Sequence, residues 1–275
     1  MLLLFDIGNT HTHLGLADDK RVLQQTDIST LTWFGGGAAA LVRNFVGDHK
    51  ITGAALCSVV PRTTAPAKKL VRSAWKITAL ELTPATIRGV GIDYPQPNSI
   101  GPDRLANAVA ARARYGAPVV VVDFGTAVTF DVVNAAGDYA GGVIAPGLAA
   151  MTEYLHEKTA LLPRIRIRET ATVIGRSTEE AMLAGAVYGY RGLVRELIAE
   201  LKRELGVRRL RVVATGGYAE LIAARLPEIS VVAPDLTLEG LRLHWVGQTA
   251  AGGPKLNNMI SPLKKQRFGD RLLNA

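Results

Sequence analysis

Short apolar runs that end at acidic or glycine-containing turns alternate with longer segments of helical spacing along this chain. Residues 2–5 and 119–122 are continuous apolar runs, which is typical of strands buried on both faces. Such alternation of strands and helices predicts an α/β fold. The remaining predicted strands cover residues 14–17, 21–25, 54–60, 79–82, 129–133, 139–144 and 210–214, and the predicted helices cover residues 65–75, 104–115 and 178–205.

One strand-and-turn pattern occurs twice, 117 residues apart. The turn that begins with Asp6 and Gly8 after the first buried strand recurs as Asp123 and Gly125 after the second. This duplication predicts two similar α/β halves that face a cleft. We place the halves at residues 1–117 and 118–247, followed by a tail of residues 248–275.

Composition excludes several classes of protein. The chain has 275 residues, of which 48% are hydrophobic and 20% charged, so it is not largely disordered. Cys57 is the single cysteine, which excludes an intramolecular disulfide and a cysteine-based zinc site. No apolar run approaches the roughly 18 residues of a membrane span, and no basic leader precedes the first apolar run. We therefore expect a cytoplasmic protein without membrane contact.

The positive net charge is concentrated at the end of the chain. The net charge is +8, and the tail carries five basic residues and one aspartate, which is half of that excess. The two halves are therefore close to neutral for their size, and we do not expect a nucleic-acid partner. We interpret the tail as a flexible basic extension.

The two acidic turns have the residues of a nucleotide cleft. Gly8 lets the backbone approach a ligand closely, and neighbouring N–H groups suit phosphate oxygens. Asp6 would then need Mg²⁺ between its carboxylate and the phosphates. The alternative is a simple hairpin turn with an Asx hydrogen bond. The second turn at Asp123 favours the cleft, and Thr215-Gly216-Gly217 adds a third loop after a strand.

Asp103 and Arg104 stand at the start of a predicted helix. Asp103 has the position and residue type of an N-cap, which would make it purely structural. Arg104 disagrees with that interpretation, because a cation in a first helical turn opposes the helix dipole. An arginine there is explained if an anion or a carboxylate docks onto it.

Two further patterns each leave two interpretations open. His11 and His13 suggest a metal site, but the sequence offers no third ligand. Gly185, Gly189 and Gly192 lie at close-packing spacing on one helix. We favour a dimer interface for these glycines, with packing inside the chain as the alternative.

The ordered set of motifs resembles the type III pantothenate kinases over about residues 1–245. One departure is Pro102, where the family usually has a small residue; proline removes a backbone N–H that could bind substrate. The matching motifs are, in order, Asp6-Ile7-Gly8-Asn9-Thr10 with Gly15-Leu16, Tyr94, Gly101-x-Asp103-Arg104 with Ala106-Asn107-Ala108, Asp123-Phe124-Gly125-Thr126-Ala127, Gly141-Gly142-x-Ile144-x-Pro146-Gly147, Thr159-Ala160-x-Leu162-Pro163, Ile174-Gly175-x-x-Thr178 and Thr215-Gly216-Gly217.

The resemblance implies an actin-like ATPase fold of two ribonuclease-H-like halves. It implies ATP-dependent phosphorylation of pantothenate, the first step of coenzyme A synthesis. It further implies Mg-ATP, a monovalent cation such as K⁺ or NH₄⁺, and a homodimer whose pantothenate pocket is completed near the subunit interface.

The resemblance also assigns roles to residues. Asp103 would accept the proton of the pantothenate hydroxyl, Asp123 would bind K⁺, and Asp6 would hold Mg²⁺ through the phosphates. The phosphate loop would comprise Asp6, Ile7, Gly8, Asn9, Thr10, His11, Thr12 and His13, with Thr126 on ATP, while Tyr94, Gly101, Pro102, Asp103, Arg104 and Thr178 would bind pantothenate.

Two other functions remain open from the sequence. The first is another actin-like phosphotransferase or polyphosphate hydrolase, and the segment from Tyr94 to Arg104 argues against it. The second is a non-catalytic accessory regulator of the same fold. The joint presence of Asp6, Asp103 and Asp123 argues against the regulator, because a binding protein needs no such set.

Overall fold

The computed structural model describes residues 1–249, which form two mixed β-sheets on either side of a central pair of helices. The first sheet contains β1 (Leu2–Ile7), β2 (His11–Ala17), β3 (Val22–Ser29), β4 (Gly53–Ser58) and β5 (Leu80–Glu81). The second contains β6 (Gly91–Ile92), β7 (Val119–Phe124), β8 (Ala127–Val133), β9 (Asp138–Pro146), β10 (Arg211–Thr215) and β11 (Val231–Val232).

Eight α-helices connect and cover these sheets within the described residues. A π-helical turn, Gly185–Gly189, joins the fifth helix to the sixth, and short 3₁₀ turns lie at Thr30–Trp33 and Pro97–Ser99. The helices are α1 (Ala38–Val46), α2 (Pro61–Trp75), α3 (Pro102–Tyr115), α4 (Leu148–Lys158), α5 (Thr178–Ala184), α6 (Tyr190–Glu204), α7 (Ala219–Ala223) and α8 (Leu236–Thr249).

The two sheets repeat one topology. Their strand orders are β3-β2-β1-β4-β5 and β9-β8-β7-β10-β11, with β6 added outside β9. In each sheet the first strand pairs antiparallel with the second and parallel with the fourth. The duplication predicted from the two acidic turns is therefore confirmed at the level of whole sheets.

The apolar runs of β1 and β7 are buried on both faces, as their composition predicts. Leu2 and Leu4 of β1 pack into the central core, whereas the residues between them pack on the outer helices. Val119 and Val121 of β7 face the same central core, and their neighbours pack against α6 and α7. This alternation follows from the two-residue period of a strand.

The central layer is built from helices that the two halves exchange. α3 belongs to the first half of the sequence but packs on β7 and β8, and α8 packs on β1 and β4. The predicted boundary at residue 117 falls in the loop between α3 and β7. Each half therefore shields a face of the other half's sheet.

Several elements differ from the sequence prediction. Helices α1, α4, α7 and α8 were not predicted. The last of these buries Glu239, Arg242 and His244 together with its leucines, so it has no clean apolar stripe. It also runs to Thr249, so the predicted tail begins inside a helix; residues 250–275 lie outside the described residues.

Among residues 1–249, no helix combines the length and hydropathy that crossing a bilayer requires.

Candidate active site

The two acidic turns face each other across the interface of the two halves. Asp6 and Asp123 each lie one residue before the end of their strand, and each is the one position of that strand that is not fully buried. The hydroxyl groups of Thr10 and Thr126, one from each turn, lie 2.9 Å apart. The structure thus brings together the two turns that the sequence predicts as a cleft.

Three carboxyl groups converge at this cleft. The pKa of Asp6 is raised to about 6, chiefly by burial; the charge of His13 opposes the shift, and the charge of Asp103 adds to it. Burial likewise raises the pKa of Asp123 to about 6, with added repulsion from Asp6 and Asp103. Burial also raises the pKa of Asp103. Acidic groups that repel one another in this way favour a bound cation.

Asp103 is not the N-cap of α3, so the prediction of a capping aspartate at this position is wrong. Gly101 occupies the N-cap, Pro102 is the first helical residue, and no side chain caps the helix. Asp103 instead accepts a hydrogen bond from the backbone N–H of Arg104 at 2.8 Å. Pro102 removes only an N–H that has no partner inside a helix, and its fixed φ suits this position.

Arg104 docks onto a buried carboxylate, which explains a cation in the first helical turn. Its Nε donates to Asp131 Oδ1 at 2.5 Å, and its Nη2 donates to the carbonyl oxygen of Phe130 at 3.1 Å. The guanidinium also lies 5.7 Å from the ring centre of Tyr139. Burial raises the pKa of Asp131 to about 7, although Arg104 lowers it.

Asn107 connects this pair to the second acidic turn. Its side-chain amide donates to Asp123 Oδ2 at 3.1 Å and to Asp131 Oδ2 at 3.4 Å. Thr237 of α8 donates to the amide oxygen of Asn107 at 2.8 Å. Sequence analysis assigned no role to Asp131, Asn107 or Thr237. The available signal was an acid at position 131 inside an apolar strand.

Some residues of the first phosphate turn are exposed, and others hold the turn in place from behind. Asn9, Thr10 and His11 are exposed, whereas Ile7 packs in the core. The buried hydroxyl of Thr12 lies 3.1 Å from that of Thr30. Thr30 in turn donates to the carbonyl oxygen of Gly8 at 2.7 Å. The turn is therefore held from behind by the 3₁₀ segment, which the sequence did not indicate.

His13 pairs with the carboxylate of Asp27. Its Nδ1 lies 2.6 Å from Asp27 Oδ1. Burial alone would lower the pKa of His13, but Asp6 and Asp27 outweigh that effect and the pKa is raised. Within residues 1–249, no cluster of three histidine, cysteine or acidic side chains has the geometry of a metal cage.

Cys57 and Gly216 contact the two cleft aspartates. The Cys57 thiol donates to Asp6 Oδ1 at 3.3 Å, and burial raises the pKa of this thiol. Gly216 has φ +87, and a Cβ there would lie 2.6 Å from Asp123 Oδ1. The third glycine loop therefore lies directly against the second acidic turn, where a larger residue would not fit.

The remaining predicted pocket residues lie in two places. Tyr94 packs edge-on against Tyr139, with 6.1 Å between ring centres, and the same Tyr139 ring lies beside the Arg104 guanidinium. Thr178 begins α5, is exposed, and forms no hydrogen bond with the cleft residues in the described part of the chain.

The donor set of the cleft fits a hard cation bound together with phosphates. Asp6, Asp123 and the two threonines offer only oxygen atoms, which suit Mg²⁺ and K⁺ better than soft metals. Mg²⁺ commonly takes one or two carboxylates and completes its shell with substrate phosphates and water. The lack of a metal cage in residues 1–249 agrees with that mode.

Two duplicated halves with facing acidic turns define the actin-like ATPase class. The chain resembles the solved structure of a Campylobacter jejuni protein described as a Baf family transcriptional activator, with TM-score 0.56, 18% identity and coverage of 91% and 99% of the two chains. It also resembles a Sinorhizobium meliloti protein described as a 2-dehydro-3-deoxygalactonokinase, with TM-score 0.52, 13% identity and coverage of 93% and 100%. At these identities the likeness concerns the fold alone.

Sequence similarity then identifies the family. The profile of the type III pantothenate kinases matches residues 2–200. A type III pantothenate kinase of Akkermansia muciniphila is 50% identical over 242 residues, covering 88% of this chain and 96% of that protein. One of Methylacidiphilum infernorum is 42% identical over 245 residues, covering 88% and 87%. The chain belongs to the type III pantothenate kinase family, and the resemblance stated from its motifs is confirmed.

Proposed function

We propose that this protein transfers the γ-phosphoryl group of ATP to the primary hydroxyl of pantothenate, the first step of coenzyme A synthesis. The observation that carries the proposal is the convergence of Asp6, Asp103 and Asp123 between two facing phosphate turns. Phosphoryl transfer depends mainly on positioning and on neutralising phosphate charge. The cleft offers groups for both tasks.

Asp103 is the group that we propose to hold the attacking hydroxyl. It accepts a hydrogen bond from the Arg104 N–H, which fixes its carboxylate at the start of α3. Its raised pKa makes it a better proton acceptor than an exposed aspartate. In a loose transition state it orients the hydroxyl first and takes the proton as the new P–O bond forms. Arg104 and Tyr94 would border the same pantothenate pocket.

The phosphates of ATP would lie between the two acidic turns. Thr10 and Thr126 would exchange their mutual hydrogen bond for phosphate oxygens. Asp6 would hold Mg²⁺ through the phosphates, and Asp123 would bind a monovalent cation such as K⁺ or NH₄⁺. Both cations would supply positive charge where the transition state accumulates negative charge.

We further propose that the protein is a homodimer in which Thr178 of the partner subunit completes the pantothenate pocket. Gly185, Gly189 and Gly192 are exposed, and among residues 1–249 a Cβ at each would meet nothing within 4 Å. No part of the described chain packs against these glycines, which supports their role at a subunit interface. The exposed apolar residues Leu161 (89%) and Ile174 (83%) flank the same region of sequence and also suit a partner.

The decisive experiment compares the purified wild-type protein with Asp103→Asn. We expect phosphopantothenate from pantothenate and Mg-ATP, stimulation by added K⁺, and a loss of turnover of 100-fold or more (~3 kcal/mol) in the variant with ATP binding retained. Asp48→Asn, at an exposed position outside the cleft, is the control and should keep full activity. Near-normal turnover of Asp103→Asn would remove its role as base. Absence of product with any cation, while ATP still binds, would leave the regulator as the better function.

A further inference from the structure

We infer that Asp131 and Asn107 are positioning residues that hold Arg104 and Asp123 in one hydrogen-bonded network, so that the pantothenate side and the cation side of the cleft are coupled. The inference rests on the proposed function. Neither residue touches the expected position of the reacting atoms, and each acts through a neighbour that does.

Asp131 determines where the guanidinium of Arg104 lies. This carboxylate lies on β8, is 0% exposed, and accepts from Nε of Arg104 at 2.5 Å. The Phe130 carbonyl and the Tyr139 ring hold the same guanidinium from other directions. Nη1 of Arg104 has no hydrogen-bond partner among residues 1–249 and remains available to a ligand. The carboxylate of Asp131, the Phe130 carbonyl and the Tyr139 ring together fix the direction in which this free Nη1 donor points.

Asn107 links the Arg104–Asp131 pair to Asp123, the aspartate that we propose to bind the monovalent cation. One nitrogen of its amide donates to both Asp123 and Asp131. Because Thr237 donates to its oxygen, the amide must turn its NH₂ group toward the two carboxylates. Asn107 is 1% exposed, so these bonds do not compete with bulk water. A continuous path therefore runs from Arg104 through Asp131 and Asn107 to Asp123.

A structural role alone explains this network poorly. Replacing a buried ion pair by apolar residues of similar volume is often neutral or stabilising, so such a pair is weak evidence for stability. Apart from Thr129, whose hydroxyl donates to Asp131 Oδ2 at 3.4 Å, β8 is apolar around Asp131, and its buried valines and phenylalanine would stabilise the sheet without an acid. A buried carboxylate at this position has its clearest purpose in fixing a guanidinium that faces the substrate.

The test replaces Asp131 by asparagine, which keeps its size but removes its charge. We expect the KM for pantothenate to rise roughly tenfold, as is typical when a supporting partner of a site residue is lost. The KM for ATP should change by less than about twofold. Asn107→Ala should shift the KM for pantothenate in the same direction. The double variant should show less than the product of the two effects, because both changes break one path.

A neutral analogue of pantothenate, with an alcohol in place of the carboxylate, identifies what Arg104 faces. A defect of Asp131→Asn that disappears with the analogue assigns Arg104 to the substrate carboxylate. A defect that persists with both substrates and is accompanied by a raised KM for ATP assigns it to the phosphates instead. Either result supports the positioning role, because both are changes in binding that altered stability alone does not produce.

Glu239→Gln is the matched control. Glu239 is 3% exposed, pairs through both oxygens with Arg242 at 2.7 and 2.6 Å, and lies on α8 outside the predicted site. The same change of acid to amide there should lower thermal stability but leave the KM values unchanged. The inference is overturned if Asp131→Asn behaves like this control, or if the effects of Asp131→Asn and Asn107→Ala multiply independently. Wild-type protein without pantothenate kinase activity would overturn the proposed function, and this inference with it.

Discussion

Replacement of Gly101 by alanine moves the carboxylate of Asp103 with little other change. Gly101 has φ −58 and ψ 129, a conformation that alanine adopts without strain. A Cβ at this position would lie 2.5 Å from Asp103 Oδ1, whereas ordinary contact begins at 3.4 Å. The carboxylate must therefore retreat by roughly 0.9 Å, because the backbone around it belongs to a regular helix.

A displacement of about 1 Å of a reacting group lowers the rate roughly 100-fold. We expect kcat of Gly101→Ala to fall by about that factor, which corresponds to about 2.7 kcal/mol in the activation free energy. The KM for ATP should stay within about twofold, since the two phosphate turns are not contacted. Steady-state assays with pantothenate and Mg-ATP, together with thermal melts of both proteins, measure these quantities.

Gly37→Ala is the control for this variant. Gly37 is also the N-cap glycine of a helix, and a Cβ there would meet no atom of residues 1–249 within 4 Å. Both variants exchange an N-cap glycine for alanine, so both should lose similar stability, on the order of 1 kcal/mol. Only Gly101→Ala should lose turnover. Wild-type kcat in Gly101→Ala, or an equal loss in Gly37→Ala, would refute the placement of Asp103 as the acceptor.

Two further predictions concern the dimer and the response to acid. Gly189→Leu should convert the dimer to monomers in light-scattering chromatography, while Gly35→Leu, also in open space, should not; a dimeric Gly189→Leu would contradict the interface. His244 is 0% exposed, and burial lowers its pKa from 6.5 to about 4, so the unfolded chain binds a proton first and stability is lost as pH falls through this window. Urea unfolding of His244→Phe should therefore show stability gained relative to wild type between pH 6.5 and 4, and a constant difference would refute the effect.

The repeated pattern of a buried strand, an aspartate and a glycine turn could be predicted from the sequence because each feature depends only on neighbouring residues. Continuous apolar residues at 2–5 and 119–122 require burial on both faces, and the following Asp and Gly mark where each strand ends. The resemblance to the kinase family depended on the same local motifs. These observations were enough to predict the duplicated fold and the cleft between its halves.

The roles of polar residues inside regular helices and strands could not be predicted from the sequence in this way. Asp131 follows Phe130 in a strand of ordinary alternation, and Asn107 lies in an alanine-rich helix, so neither position has a local signature. Their contacts join the consecutive elements α3, β7 and β8, and Thr237 of α8, which is distant in sequence, fixes the amide of Asn107. The N-cap of α3 was misassigned for a related reason, since Pro102 begins the helix one residue before Asp103.

By itself, therefore, the sequence determined the fold class, the duplicated halves and the family, because strand burial and turn chemistry are properties of neighbouring residues. Only the tertiary structure decided how α3 and α8 are exchanged between the sheets and which carboxylate Arg104 meets. A buried polar group must find its hydrogen-bond partner wherever the fold brings one, and that partner is rarely adjacent in sequence.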